Sequence, residues 1–267
     1  MPHMHVGDVE LYYELLDYTE PWRAGPMPVV FVHGLGGDHS MWLYQVPAFC
    51  ARYPTITLDL RGHGASRAPD RDFGIADMAR DVIRLLRGLG VERAHLVGCS
   101  LGGMVVQQCA LDFPLAAASL VLVDTFCGAP PGFEDMIRGA LQFIEEHDMA
   151  AVARERITNA FSDAVDPVMR DYLIDRVARN DKRAYVRTAR AAFGFSVAAR
   201  LGEISAPTLV VVGEHDRVTP PQLSDDLAAR ISGARLARIA GAGHISNMER
   251  PDDFNRVVLE FLDSLPR

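Results

Sequence analysis

Gly98-Cys99-Ser100-Leu101-Gly102 is the stretch of sequence that decides the fold. It follows the apolar run Ala94 to Val97, which is typical of a buried strand, and it opens a segment of helical character. It fits the pattern G-x-S-x-G, in which a serine occupies a tight turn from a strand into a helix. The two glycines remove side chains that would collide in that turn. The sequence therefore predicts that Ser100 is an accessible nucleophile on a strained backbone.

Short apolar runs recur along the chain, with segments of helical period between them. They are Val29–Val32, Thr55–Leu60, Ala94–Val97, Leu120–Val123, Leu209–Val212 and Leu236–Ile239. Runs that are apolar on both faces are typical of strands inside a parallel sheet. Thr219-Pro220-Pro221-Gln222 predicts a helix with Thr219 as its N-cap, and Pro251 predicts the start of the last helix. We expect an α/β fold with a mostly parallel sheet covered by helices on both faces.

One stretch interrupts this alternation of strands and helices. It begins with the turn-rich Gly128-Ala129-Pro130-Pro131-Gly132 and continues as several helical patterns without a strand. We expect residues 128–198 to form a helical cap, or lid, inserted into an α/β core made of residues 1–127 and 199–267.

Composition excludes several classes of function. The formal net charge of -8 disfavours nonspecific binding to nucleic acid. The four cysteines form neither a C-x-x-C pair nor a set with zinc spacing. Met1 to Asp8 lacks the pattern of a signal peptide, and no apolar run is as long as a membrane span. We therefore expect a cytoplasmic monomer or homodimer with a small-molecule substrate, no metal, no cofactor and no membrane partner.

A serine hydroxyl is a weak nucleophile that needs a base, and several histidines are candidates. His244 ends the glycine-rich loop Gly241-Ala242-Gly243-His244, directly after the last strand run, and is the favoured base. His33, His63 and His95 compete with it. His33 belongs to another glycine-rich loop, His63 to a tight turn and His95 to a strand.

The base in turn needs a carboxylate to orient it. Asp216 is favoured, because Gly213-Glu214-His215-Asp216 ends a strand and leads straight into a helix start. Glu214 is an alternative on the same loop. Asp124, at the end of the strand after the Ser100 helix, is a second alternative, although a role in stabilising the turn is expected there.

The glycine-rich stretch His33-Gly34-Leu35-Gly36-Gly37 lets the backbone pass close to a bound carbonyl group. We predict that the backbone N–H groups of Leu35 and Leu101 form an oxyanion hole.

Together these motifs resemble the α/β-hydrolase family over nearly the whole chain. Within the family, the chain looks most like 3-oxoadipate enol-lactonases and small carboxylesterases, on the basis of His33 to Asp38, Met41-Trp42, Arg61 to Ser66 and Ser100 to Gly103. Cys99 departs from the larger or more polar residue often found before the serine. The resemblance implies hydrolysis of an ester or lactone through an acyl-enzyme. A serine nucleophile argues against dehalogenases and epoxide hydrolases. Three alternatives stay open: C–C hydrolases of meta-cleavage products, cofactor-free perhydrolases and a non-catalytic relative that binds a small ligand.

Aromatic residues near Ser100 and in the cap are candidates for the substrate pocket. With Gly34, the predicted lining comprises Trp42, Phe126, Phe143 and Phe193. Arg138, Arg187 and Arg190 are candidates for binding a substrate carboxylate, although a solvated face of the cap is the expected role of these arginines.

Overall fold

The computed structural model describes residues 2–22, 25–67 and 69–266. Within these residues, one eight-stranded sheet has the order β1-β2-β4-β3-β5-β6-β7-β8. The strands are β1 (His3–Val6), β2 (Val9–Leu16), β3 (Val29–Val32), β4 (Thr55–Leu58), β5 (Ala94–Cys99), β6 (Ala117–Val123), β7 (Thr208–Gly213) and β8 (Arg235–Ile239). All pairings from β4 to β8 are parallel, whereas β1 with β2 and β2 with β4 are antiparallel. The mostly parallel sheet was predicted; the antiparallel hairpin was not.

From β3 to β8 the helices alternate with the strands, except between β6 and β7, where several helices follow one another. They are α1 (Gln45–Phe49), α2 (Ile75–Gly88), α3 (Leu101–Asp112), α4 (Glu134–Glu146), α5 (Met149–Ala160), α6 (Pro167–Ala178), α7 (Lys182–Phe193), α8 (Pro221–Arg230), α9 (Ser246–Glu249) and α10 (Pro251–Asp263). In the described part of the chain, none of them is long and apolar enough to cross a membrane.

Two apolar cores cover the two faces of the sheet, because successive side chains of a strand point to opposite sides. In β3, Val30 and Val32 pack with α2, α3 and α8, while Val29 and Phe31 pack with α1 and α10. Both faces are therefore buried, which explains why the central strands read as continuous apolar runs.

The stretch predicted to be a cap contains α4 to α7 and lies between β6 and β7. An isolated antiparallel bridge between Gly128 and Ser196 joins its two ends. Several contacts attach it to the rest of the fold, and two of them lie near the carboxyl edge of the sheet. Arg176 on α6 pairs with Asp38, and the carbonyl of Ala160 at the end of α5 accepts from the His244 N–H at 2.6 Å.

Two local predictions were wrong. Helix α8 begins at Pro221 with Pro220 as its N-cap, so Thr219 is not the cap. The Thr219 hydroxyl instead donates to Asp216 at 2.7 Å, which holds it away from the helix start. The last run was expected to be apolar on both faces, but β8 is the edge strand of the sheet, and Leu236 is 39% exposed.

Candidate active site

Ser100 occupies the turn between β5 and α3 in a backbone conformation that L residues rarely adopt, with φ 53° and ψ -115°. The surrounding glycines make this turn possible. A Cβ on Gly98 would lie 2.3 Å from the carbonyl oxygen of Gly102, and one on Gly102 would lie 2.0 Å from that of Val32. The amide of Ser100 donates to the carbonyl of Val123 at 2.8 Å. Packing of β5 against its neighbours thus fixes the strained residue.

The structure brings the three residues predicted as nucleophile, base and acid into one hydrogen-bonded chain. The Nε2 atom of His244 lies 3.0 Å from the Oγ atom of Ser100. The Nδ1 atom of His244 lies 2.9 Å from the Oδ2 atom of Asp216. His244 is 6% exposed and Asp216 is 3% exposed, so the chain is shielded from water over most of its length.

Asp216 is fully engaged on both oxygens. Its Oδ1 accepts from the backbone amides of Val218 and Thr219, each at 2.8 Å, and its Oδ2 accepts from the Thr219 hydroxyl as well as from His244. Burial opposes ionisation of Asp216, but the His244 charge and these hydrogen bonds outweigh it and hold the pKa below the usual 3.8. Asp216 is therefore a rigid carboxylate.

The charge on Asp216 acts in turn on the base. Burial lowers the pKa of His244, but the neighbouring Asp216 carboxylate outweighs burial and raises the pKa above the usual 6.5. Because Nδ1 faces the carboxylate, it carries the proton and leaves Nε2 as the acceptor that faces Ser100.

Asp124, the second carboxylate weighed as the acid, makes no hydrogen bond to His244. It is fully buried at the end of β6 with φ 46°, and its oxygens accept from the Gly213 amide at 2.8 Å and from the amide and hydroxyl of Ser246 at 3.1 and 2.7 Å. Burial, with the nearby Asp216 charge, raises the pKa of Asp124 to about 7. Asp124 therefore ties the end of β7, which precedes Asp216, to the loop after His244.

Glu214 and the histidines His33, His63 and His95 take no part in this hydrogen-bonded chain. Glu214 accepts from the Gly241 amide at 3.0 Å in an exposed position. His95 is bonded to Ser119 at 2.8 Å at the start of β5, and His63 faces the carbonyl of Arg61 at 3.2 Å. His33 accepts from the Leu60 amide through Nε2, so its Nδ1 donates to the carbonyl of Gly34 at 2.8 Å. His33 thus holds the loop that carries Leu35.

The two amides predicted to form an oxyanion hole belong to segments that meet at Ser100. A Cβ on Gly34 would lie 3.4 Å from the Cβ of Ser100, so the loop backbone passes directly beside the serine. Among the described residues, neither the Leu35 amide nor the Leu101 amide has a hydrogen-bond acceptor. Two N–H groups next to the serine are thus available for a ligand oxygen.

Two cavities meet at Ser100. The nucleophile cavity is lined by Ser100, His244, the loop Gly34 to Asp38 and parts of α5, α6 and α7. The cap cavity is lined by Ser100, Leu101, the start of the cap and parts of α3 and α7. Leu35, Ser100, Arg156 and Val218 line both, so the two spaces adjoin at the serine.

The structure divides the residues predicted for the substrate pocket between the two cavities and the packed interior. Gly34 lines the nucleophile cavity, and Phe126 and Phe193 line the cap cavity. Trp42 and Phe143 line neither. Trp42 is fully buried in the core, with its ring centroid 4.8 Å from that of Phe31, and Phe143 stacks on His147.

None of the three cap arginines that were candidates for binding a substrate carboxylate lies at either cavity, and a solvated face of the cap was the role expected for them. Arg138 pairs with Asp135, Arg187 with Asp70 and Arg190 with Glu145, and none lines either cavity. The cavities are instead lined by Arg156 and Arg176, which the sequence patterns did not single out. Arg156 could have been found, because it falls between Val152 and Ile157 on the buried stripe of α5, where a charged residue is out of place.

Acidic residues beside the nucleophile cavity form an internal network. Asp38, His39 and Asp59 place potential metal-ligand atoms within 4.8 Å of one another. Asp59 accepts from the Nδ1 atom of His39 at 2.8 Å, and Asp38 pairs with Arg176. These atoms therefore already have protein partners.

Comparisons with known proteins agree with this geometry. Residues 29–257 match the alpha/beta hydrolase family. The chain is 30% identical to 3-oxoadipate enol-lactonase 2 of Acinetobacter baylyi, with 97% of each chain covered. It is 34% identical to a putative carbamate hydrolase, RutD, of Variovorax paradoxus, with 92% of this chain and 96% of that one covered.

A solved structure supports the same assignment. The crystal structure of the enol-lactonase from Burkholderia xenovorans superposes with a TM-score of 0.91 at 29% identity, covering 98% of this chain and 100% of that one. The sheet order, the match over residues 29–257 and these relatives lead to one conclusion. The chain belongs to the α/β-hydrolase family.

Proposed function

We propose that this protein is a serine hydrolase that cleaves carboxylic esters or lactones through an acyl-enzyme on Ser100. The observation that carries the proposal is the hydrogen-bonded chain from Ser100 through His244 to Asp216, at the point where two cavities meet. The names of similar proteins, which include an enol-lactonase, support the same bond type.

In the first step, Ser100 Oγ attacks the carbonyl carbon of the substrate while His244 Nε2, 3.0 Å away, takes the hydroxyl proton. The imidazole becomes positively charged, and Asp216 stabilises that charge at 2.9 Å from Nδ1. The carbonyl oxygen becomes an oxyanion next to the amides of Leu35 and Leu101. Each of these donors contributes about 3 kcal/mol of stabilisation to the transition state.

In the second step, His244 gives its proton to the leaving alkoxide and the acyl-enzyme remains. Water activated by His244 then attacks the acyl carbon, and Ser100 is released with its proton restored. The two cavities on either side of Ser100 give the acyl chain and the alcohol separate spaces. In a lactone the two parts stay joined, and the leaving oxygen remains on the product.

A carbamate is the second candidate substrate. It rests on the 34% identity to a protein named a putative carbamate hydrolase. With the same three residues, Ser100 would attack the carbonyl of a carbamate, so only a comparison of substrates decides between esters or lactones and carbamates.

The proposal is tested by steady-state hydrolysis of 4-nitrophenyl esters of increasing acyl length, a set of lactones and a set of carbamates. Ser100→Ala is the control, because Ser100 is not part of the packed core and its loss leaves the fold intact. We expect ester or lactone turnover by the wild type and none by the variant. Full activity in Ser100→Ala would contradict the proposal, and turnover of carbamates alone would favour the second candidate.

Location in the cytoplasm and a monomeric or homodimeric state remain predictions from the sequence. Size-exclusion chromatography with light scattering measures the oligomeric state directly.

A further inference from the structure

Arg156 is a partly buried arginine at the place where the nucleophile cavity and the cap cavity adjoin. Among the described residues, its guanidinium has neither an ion pair nor a hydrogen bond. Arg176, the second arginine that lines the nucleophile cavity, is different, because it donates to Asp38. Arg156 is only partly buried, so its guanidinium is open to water and available to an anionic group of a ligand in the two cavities.

The position of Arg156 relative to the reacting groups is fixed by the backbone. Ala160 ends α5 one helical turn after Arg156, and its carbonyl accepts from the His244 amide at 2.6 Å. The Arg156 charge acts to lower the pKa of His244, against the larger raising effect of Asp216. The guanidinium is therefore within electrostatic reach of the base.

Tyr185, on α7, provides a second and independent observation. It lines the nucleophile cavity, is 1% exposed, and its hydroxyl has no hydrogen-bond partner among the described residues. Burial of a hydroxyl without a hydrogen-bond partner costs free energy, so we expect a bound ligand to provide an acceptor for it. The ring is held against the loop Gly34 to Asp38, where a Cβ on Gly36 would lie 2.9 Å from Cε2 of Tyr185.

The two unsatisfied groups face the same region. Burial raises the pKa of Tyr185, while the Arg156 charge acts to lower it and the Glu155 charge to raise it. A cation and a neutral O–H donor together match one carboxylate, which accepts hydrogen bonds on two oxygens. The remainder of the cavity is largely apolar, with Leu35, Ile157 and Val218 in its walls, and suits a hydrocarbon linker.

We propose that Arg156 and the Tyr185 hydroxyl bind a free carboxylate of the substrate, so that the preferred esters or lactones carry a carboxylate remote from the bond that is cleaved. This inference rests on the proposed function and narrows its substrate class.

The kinetic test uses 4-nitrophenyl monoesters of dicarboxylic acids of increasing chain length, each beside a neutral analogue in which the free carboxylate is a primary amide. We expect the wild type to prefer the anionic ester at one chain length. Arg156→Gln is expected to reduce kcat/KM for that ester by about tenfold to a hundredfold, mainly through KM, and to reduce kcat/KM for the neutral analogue much less, so that the preference for the anionic ester is lost. Tyr185→Phe is expected to act in the same direction with a smaller effect.

Arg154→Gln is the matched control, because Arg154 lies on the same helix, is exposed and lines neither cavity. It is expected to leave the preference unchanged. A wild type that favours the neutral esters, or an Arg156→Gln variant with unchanged preference, overturns the inference. In either case Ser100-dependent turnover of neutral esters leaves the proposed function standing.

A binding measurement decides the inference without turnover. Calorimetry with adipate is carried out on Ser100→Ala and on the double variant with Arg156→Gln. Binding to the first that is lost in the second supports the carboxylate site, even if no ester is hydrolysed and the proposed function fails. Equal binding to both, or no binding to Ser100→Ala, overturns it.

Discussion

Replacement of Asp216 by asparagine tests the assignment of the acid most sharply. Oδ1 of Asp216 accepts from the amides of Val218 and Thr219, so an asparagine keeps its oxygen there. Its amide nitrogen then takes the place of Oδ2, 2.9 Å from Nδ1 of His244, and donates to it. The imidazole proton is driven to Nε2, which then points a donor at Ser100 instead of an acceptor.

The expected loss follows from that change of tautomer. His244 is 6% exposed, so water is poorly placed to restore the correct proton position. Holding a catalytic histidine in the wrong tautomer costs about 10⁴ in kcat, which corresponds to about 5.4 kcal/mol of barrier. The side-chain volume and the two backbone hydrogen bonds to Oδ1 are conserved, whereas the Thr219 hydroxyl loses Oδ2 as its acceptor, so a loss of about 1 kcal/mol of stability is expected.

The assay is kcat and kcat/KM for the best 4-nitrophenyl ester, with thermal unfolding measured in parallel. Asp124→Asn is the matched control, because Asp124 is also a buried carboxylate beside the site but makes no hydrogen bond to His244. We expect a far smaller loss of kcat in that variant. Equal losses, or a larger loss in Asp124→Asn, would refute the assignment and move the acid to the end of β6.

Three further predictions concern pH and packing. Because Asp216 raises the pKa of His244, the ascending limb of kcat/KM plotted against pH is expected to have its midpoint above pH 6.5. The charged pair also stabilises the fold; this stabilisation is complete below pH 6.5 and is lost as the pH rises through the pKa of His244 in the folded state. Gly102→Ala places a Cβ 2.0 Å from a carbonyl oxygen and lowers the free energy of unfolding in urea by about 3 kcal/mol or more, whereas Gly139→Ala, with open space around its Cβ in α4, raises it by about 0.5–1 kcal/mol. Asp81→Asn removes the charge that pairs with Arg61 at 2.6 Å and leaves that guanidinium, 1% exposed, with Asp8 at 3.1 Å as its carboxylate partner; the expected cost is about 3–5 kcal/mol, measured in the same way.

Local sequence was sufficient to predict the Ser100 turn and the loops that carry Asp216 and His244. Glycine is required at Gly98 and Gly102 because a Cβ on either would collide with a backbone atom, and the pattern G-x-S-x-G contains both glycines. The parallel sheet was predictable for a similar reason, because strands covered on both faces have a continuous apolar character.

The N-terminal hairpin was missed although it has a signal. Gly7-Asp8 separates β1 from β2 as a two-residue loop with Gly7 at φ 76°, and glycine followed by aspartate between strand-like runs is typical of a tight hairpin. The alternation in Val9–Leu16 is imperfect, with Leu11 and Tyr12 both buried, which weakens the pattern.

The pocket could not be predicted from local patterns, because its lining depends on how distant segments pack. Trp42 follows the loop Gly34 to Asp38 in sequence, but its side chain packs in the core against Phe31 and against Phe254 of α10. Arg156 is distant in sequence from Ser100 and lines the same cavities because the cap packs on the core, with the end of α5 bonded to the His244 loop. No pattern within a single stretch of sequence predicts such contacts between the cap and the core.

The central claim, that Ser100 is the activated nucleophile, is tested most directly by covalent labelling with a phosphonate ester followed by mass spectrometry of the intact chain and its peptides. We predict a single adduct on the peptide that contains Ser100, no adduct in Ser100→Ala, and strongly slowed labelling in His244→Gln. An adduct on another residue, or labelling that persists in Ser100→Ala, would contradict the claim.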